Sequence, residues 1–200
     1  MVRLILASSS PRRIQLLKEG NFFPEVIAPQ VAELSGDFLT ATELAQCNAK
    51  LKAAAVATLN PDAVVLGADT IVALGLEIFG KPKDFEDAGR ILGKLAGKTH
   101  EVITGVALLE PSIGRLTLQS ASSKVTLRAL STMEIENYLK ANNSLDKAGA
   151  YAAQNSATTL IERIDGSFTN VVGLPMEIVR PLLESAGIHP SSGLERRSSR

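Results

Sequence analysis

Ser8-Ser9-Ser10-Pro11-Arg12-Arg13 directly follows the apolar stretch Leu4-Ile5-Leu6-Ala7. An apolar run that ends in a polar turn predicts a strand feeding a helix. Pro11 suits the first helical position, where its missing N–H has no partner to lose. Ile14, Leu16 and Leu17 then supply the apolar helix face. Hydroxyls, unpaired helix-start amides and two guanidiniums meet at one strand–helix junction, a combination suited to phosphate oxygens. The same residues also read as an ordinary serine cap followed by solvated arginines. The turn alone does not decide.

Further along, Asp69 follows the apolar run Ala63–Leu66. Ligands of open α/β sheets gather at the carboxyl ends of strands. A carboxylate there can hold a divalent metal or take a proton from water; in a plain turn it would cap Thr70. Gly80-Lys81-Pro82 places Lys81 on a stiff loop after another strand, where it is either solvated or aimed at an anion. Lys52 lies in a helix of mostly apolar neighbours; its ammonium either snorkels to solvent or points into a cleft. In Asp146–Gln154, small residues surround one Tyr and one Gln. The Gln154 amide carries both donor and acceptor and could read the edge of a planar base, or face water.

Other chemistries fit poorly. Gly89–Lys94 has only three residues between its glycines and ends at Leu95, so it is no phosphate-binding Walker loop. His100 and His189 cannot form a zinc cluster, and no nucleophile elbow accompanies His100. Cys47 is single, which excludes an internal disulfide. Lys plus Arg and Asp plus Glu balance at 21 each, so no overall field draws the chain to nucleic acid or anionic lipid. Any anion site must be local. No apolar run reaches membrane-spanning length and no signal-peptide core opens the chain, so a cytoplasmic location is the default expectation. Asn142-Asn143-Ser144 matches a glycosylation sequon, read here as chance.

The elements that must hold these groups alternate. Strands are expected at Leu4–Ala7, Glu25–Ala28, Ala63–Leu66, His100–Leu109, Leu116–Leu127 and Thr159–Ile164. A hairpin is expected where Ile71–Ala73 and Glu77–Phe79 flank Leu74-Gly75-Leu76. Helices are expected over Pro11–Glu19, Thr40–Thr58, Asp84–Leu95, Ser131–Lys140 and Pro175–Ser185. Ser131 with Glu134 forms a capping box. The order predicts an α/β fold, a mixed twisted sheet with flanking helices. One domain is expected over residues 1–187, with 188–200 a disordered tail.

In register over nearly the whole chain, these segments resemble the Maf family of nucleoside triphosphate pyrophosphatases. The matching pieces are the Ser-x-Ser-Pro-Arg-Arg turn, Glu33, the Lys52-Ala53 helix, Gly67-Ala68-Asp69-Thr70 and Gly80-Lys81-Pro82. Gly97 to Gly105, Asp146 to Gln154 and Gly166 to Pro175 complete them. The resemblance implies a two-lobed fold related to inosine triphosphate pyrophosphatases, with the active site in a central cleft. It implies hydrolysis of a nucleoside triphosphate to monophosphate and pyrophosphate, assisted by magnesium, or by manganese or cobalt in its place. Arg12, Thr70 and Gln154 together resemble the branch acting on dTTP and UTP.

On that resemblance, Asp69, Lys81 and Lys52 are the catalytic residues. Ser8, Arg12, Arg13, Thr70 and Gln154 bind substrate, and Glu33 with Asp69 holds the metal. Partners other than the nucleotide are not implied, except a homodimer, which is common among relatives. Three positions depart from the family pattern. Ala32 precedes Glu33 where two adjacent acids are frequent, Asn155 follows Gln154 where Gly is common, and Leu127 replaces a frequent aromatic. The alternatives are a non-enzymatic nucleotide-binding regulator of cell division, the methylated-GTP branch of the same family, and a phosphohydrolase releasing orthophosphate.

Overall fold

The computed structural model describes residues 2–35, 38–142, 144–153 and 160–191. Its elements run β1 (Arg3–Ala7), α1 (Pro11–Glu19), β2 (Glu25–Ile27), α2 (Ala41–Ala57), β3 (Ala63–Leu74), β4 (Glu77–Phe79), α3 (Phe85–Leu95), β5 (Thr99–Glu110), β6 (Arg115–Leu127), α4 (Thr132–Ala141), β7 (Ile161–Asp165), α5 (Phe168–Val172) and α6 (Met176–Ser185). The strands form one mixed sheet in the order β2-β1-β3-β5-β6-β7, with β4 against the far end of β3. β1 pairs in parallel with β2 and β3, and the other pairs are antiparallel.

Local chemistry sets the helix starts. Pro11 begins α1, as its fixed φ favours. Thr40 and Glu43 form a reciprocal capping box at α2, and Ser131 with Glu134 does the same at α4. Each such cap stabilises its helix by about 1 kcal/mol.

Side-chain alternation along the long strands gives the sheet two faces. Ile5, Ala7, Val65 and Ala107 pack under Ala49, Ala53 and Val56 of α2, and Ile71, Ala73 and Ile103 pack under its first turn. The opposite face carries two cores. Leu4, Leu6, Leu66 and Leu108 meet α1 and α6 at one end; Val72, Val102 and Val125 meet α3 and α4 at the other. α2 thus spans the sheet on one side, while two helix pairs divide the other side between them.

Two expectations need correcting. Gly67–Thr70 is not a turn after a short strand but the middle of β3, because the register with β5 runs unbroken from Val65↔Leu109 to Ala73↔Glu101. Residue type suggested a loop; cross-strand pairing overrides it. The folded part also runs past residue 187. Ile188 is buried in the α1–α6 core, and the Ser191 amide donates to the Asn21 carbonyl. The rest of the expected tail lies outside the described residues. The five-residue α5 was not expected; its Ser167 side chain caps the Asn170 amide.

Candidate active site

β1 ends at Ala7, opposite Gly67, and β4 begins to pair with β3 only at Val72. Over Ala68–Ile71, therefore, one edge of β3 faces neither strand. A cleft of about 550 Å³ opens at this gap. Asp69 and Thr70 point to opposite faces of β3, yet both line the cleft, because the gap lets groups from the two faces converge.

The wall on the α2 side carries the acids. Asn48 and Lys52 stand one helical turn apart, on one face of α2. The Lys52 ammonium donates to Asp69 Oδ1 at 2.6 Å and lies 2.8 Å from Glu33 Oε1. The Asn48 amide donates to Asp69 Oδ2 at 3.3 Å. Asn48, Lys52 and Asp69 are all buried. Their approach depends on two glycines. A Cβ on Gly67 would lie 2.3 Å from the Ala49 carbonyl oxygen, and one on Gly105 would lie 2.4 Å from the Ala45 carbonyl. Only glycine lets α2 sit this close to the sheet. Burial pushes the Glu33 carboxyl up, but the hydrogen bond and charge of Lys52, aided by Lys81 and Arg13, hold it below the usual range.

The α1 wall is cationic. Buried Arg13 donates from Nε to the Gly173 carbonyl at 2.8 Å, from Nη1 to Ser8 Oγ at 3.2 Å and from Nη2 to Thr70 Oγ1 at 3.0 Å. Burial lowers its pKa, Asp69 opposes that shift and Arg12 adds to it; a guanidinium stays charged regardless. Ser8 Oγ also accepts the Ser10 amide, closing the turn on itself. Thr70 shares a hydrogen bond with Thr104 at 3.0 Å. Arg12 reaches the other way, to Asp146 at 3.3 Å, and Lys147 meets the same carboxylate at 2.8 Å. Burial raises the Asp146 pKa, but Lys147 and Arg12 together bring it below its ordinary value.

Lys81 lines the cleft from the loop after β4, and the Gly80 carbonyl beside it accepts the Gly149 amide at 3.3 Å. Tyr151 lines the cleft too, its hydroxyl 2.6 Å from Nε2 of buried His100. Burial depresses the His100 pKa to about 4. That histidine supports the wall rather than offering a charge.

The structure thus brings Ser8, Arg12, Arg13, Glu33, Lys52, Asp69, Thr70 and Lys81 around one cleft, from residues as far apart as 8 and 81. Gln154 lies outside the described residues. Sequence reasoning missed Asn48 and Thr104. Asn48 could have been found from its spacing, four residues before Lys52 on one helix face. Thr104 carries no such signal, since its role follows from the β3–β5 register.

Fold and site together define a mixed α/β protein with a cleft at a gap in its sheet, carboxylates on one wall and guanidiniums on the other. The family model described as Maf-like protein matches residues 3–186, and the chain belongs to that family. It is 46% identical over 193 residues to a dTTP/UTP pyrophosphatase of Aquifex aeolicus, covering 93% of this chain and 98% of that protein. It is 41% identical over 185 residues to a dTTP/UTP pyrophosphatase of Dictyoglomus thermophilum, covering 92% and 96%. A dTTP/UTP pyrophosphatase of Bacillus pumilus is 41% identical over 190 residues, covering 95% and 100%. Among solved structures, a HAM1 protein from Coxiella burnetii aligns with a TM-score of 0.44 and 16% identity, over 64% of this chain and 73% of that one. Among the described residues no helix is long and apolar enough to cross a membrane.

Proposed function

We propose that this chain hydrolyses nucleoside triphosphates, dTTP and UTP among them, to the monophosphate and pyrophosphate. The reading rests chiefly on Asp69, a buried carboxylate in the same cleft as Arg12, Arg13, Lys52 and Lys81. The names of its relatives in Aquifex aeolicus, Dictyoglomus thermophilum and Bacillus pumilus support the choice of substrate.

The chemistry follows from the residues. Attack on the α-phosphorus needs an activated water, and Asp69 is the cleft carboxylate that can orient it and accept its proton. The leaving pyrophosphate gains negative charge. Arg12 and Lys81 neutralise it, helped by the hydroxyl of Ser8 and the amides at the start of α1. Arg13 is held by Gly173, Ser8 and Thr70, so it acts as a fixed cation behind the phosphates. In this reading Gln154 meets the base, and the protein works on the cytoplasmic nucleotide pool.

A divalent ion fits the donor set. Among the described residues no three His, Cys, Asp or Glu side chains gather, but Glu33 and Asp69 present two carboxylates to one position, where Lys52 now bridges them. Magnesium binds through one or two carboxylates plus substrate phosphates and water, which is what this wall provides. Glu33 and Asp69 would hold it, and it would supply charge neutralisation at the phosphates.

The test is hydrolysis of dTTP, UTP and a panel of other ordinary and modified triphosphates with magnesium in ¹⁸O-water. Pyrophosphate release with the label in the monophosphate is expected. Orthophosphate as product, or a preference for methylated GTP, contradicts the assignment.

A further inference from the structure

The loop that carries Glu33 has no helix or sheet of its own over residues 28–35. Asn48 supplies what the backbone there lacks. Its side-chain oxygen accepts the Leu34 amide at 2.7 Å, and its side-chain nitrogen donates to the Leu34 carbonyl at 3.2 Å and to Asp69 Oδ2 at 3.3 Å. One buried carboxamide therefore pairs with both backbone groups of the residue after Glu33 and also with Asp69. Asn is suited to this task, because it alone among residues of its size offers an acceptor and two donors in one plane. Aspartate has no donor to give and would add a like charge beside Asp69.

We infer that Asn48 is a positioning residue that sets the Glu33 loop in register with Asp69, so that the two carboxylates address one cation. This rests on the reading of Glu33 and Asp69 as its ligands. Lys52 cannot do the same work alone. Its ammonium, at the end of a long stem, bonds the Glu33 and Asp69 carboxylates themselves, whereas Asn48 fixes the backbone beside Glu33. Groups that orient ligands in this way typically contribute 10–100-fold to metal affinity.

The experiment titrates Mn²⁺, followed by electron paramagnetic resonance, onto the protein holding the α,β-imido analogue of dTTP. Wild type, Glu33→Gln, Asn48→Ala and the double variant are compared, with thermal melting to establish that each is folded. If wild type takes up no Mn²⁺, or Glu33→Gln binds as well as wild type, the ligand reading itself fails whatever Asn48 does. With that reading standing, Asn48→Ala should weaken Mn²⁺ by roughly tenfold or more. The double variant should be no more than about twofold weaker than Glu33→Gln, because Asn48 then has no Glu33 carboxylate left to bring into register with Asp69. In turnover, the magnesium requirement should rise while KM for dTTP changes little. Wild-type Mn²⁺ affinity in Asn48→Ala, or single effects that multiply in the double variant, overturns the inference. Should Asn48→Ala not fold, Asn48→Ser, which keeps a small polar group, answers the same question by the same criteria.

Discussion

The Lys52 ammonium lies 2.6 Å from Asp69 Oδ1, with both groups buried, across the contact between α2 and the middle of β3. This pair ties Asp69 to the helix that packs across β3 and β5 on one face of the sheet. A buried ion pair rarely adds much net stability, but removing one partner strands the other. Lys52→Met should therefore cost several kcal/mol of folding stability, about 3–5 by that precedent. Equilibrium unfolding in urea measures it, and a loss under about 1 kcal/mol would contradict a structural role for the buried pair.

Arg12 and Arg13 are adjacent in sequence but should fail differently. Arg13 is bonded inside the protein, so Arg13→Ala leaves the Gly173 carbonyl and the Thr70 and Ser8 hydroxyls short of a donor. It should lose stability and turnover together. Among the described residues, Arg12 is held at the cleft mouth by Asp146 alone. Arg12→Ala should keep its melting temperature and lose roughly a hundredfold in kcat/KM. Equal melting temperatures for the two variants would contradict this division.

The contact between α2 and β3 depends on the missing side chain at Gly67. Its added Cβ would meet backbone atoms of Ala49 and Ala53, which cannot swing aside. Gly67→Ala should destabilise by about 1–3 kcal/mol or more and displace Lys52 from Asp69, lowering activity as well. A fully stable and active Gly67→Ala would mean that α2 is free to shift.

Acid should weaken the fold before the carboxylates titrate. Burial takes the His100 pKa from its ordinary 6.5 to about 4, so the folded state prefers the neutral ring. Between those values the unfolded chain binds more protons. Stability is then complete above about pH 6.5 and falls as the pH drops toward 4, by on the order of 3 kcal/mol. Urea unfolding at pH 7 and pH 5 measures the loss, and His100→Gln should flatten it. A flat profile in wild type over this range would contradict a neutral buried His100.

Much of this architecture was legible in the residues. The bounds of α1 follow from Pro11 and Gly20, and α4 opens where Ser131 and Glu134 mark a capping box, because these signals are local and act through the backbone. The expected cleft residues other than Gln154 do meet, since strand ends and glycine turns restrict where a charge can be placed. What could not be read was non-local. Gly67-Ala68-Asp69-Thr70 has the composition of a turn, and only the pairing with β5 makes it strand. Arg13 carries the same signal as Arg12, yet one is buried and the other spans the cleft mouth, a difference fixed by Gly173 and Asp146, each more than a hundred residues away. Asn48 reads as one polar residue in an alanine-rich helix until the loop that carries Glu33 folds over it.

The central measurement is pyrophosphate release from dTTP by wild type and by Asp69→Asn, each first established as folded by its melting profile. The side chains are nearly isosteric, so only the charge and its basicity change. Turnover should fall by at least about a hundredfold while the fold survives. An Asp69→Asn protein that still turns over dTTP at a rate comparable to wild type would place the chemistry elsewhere.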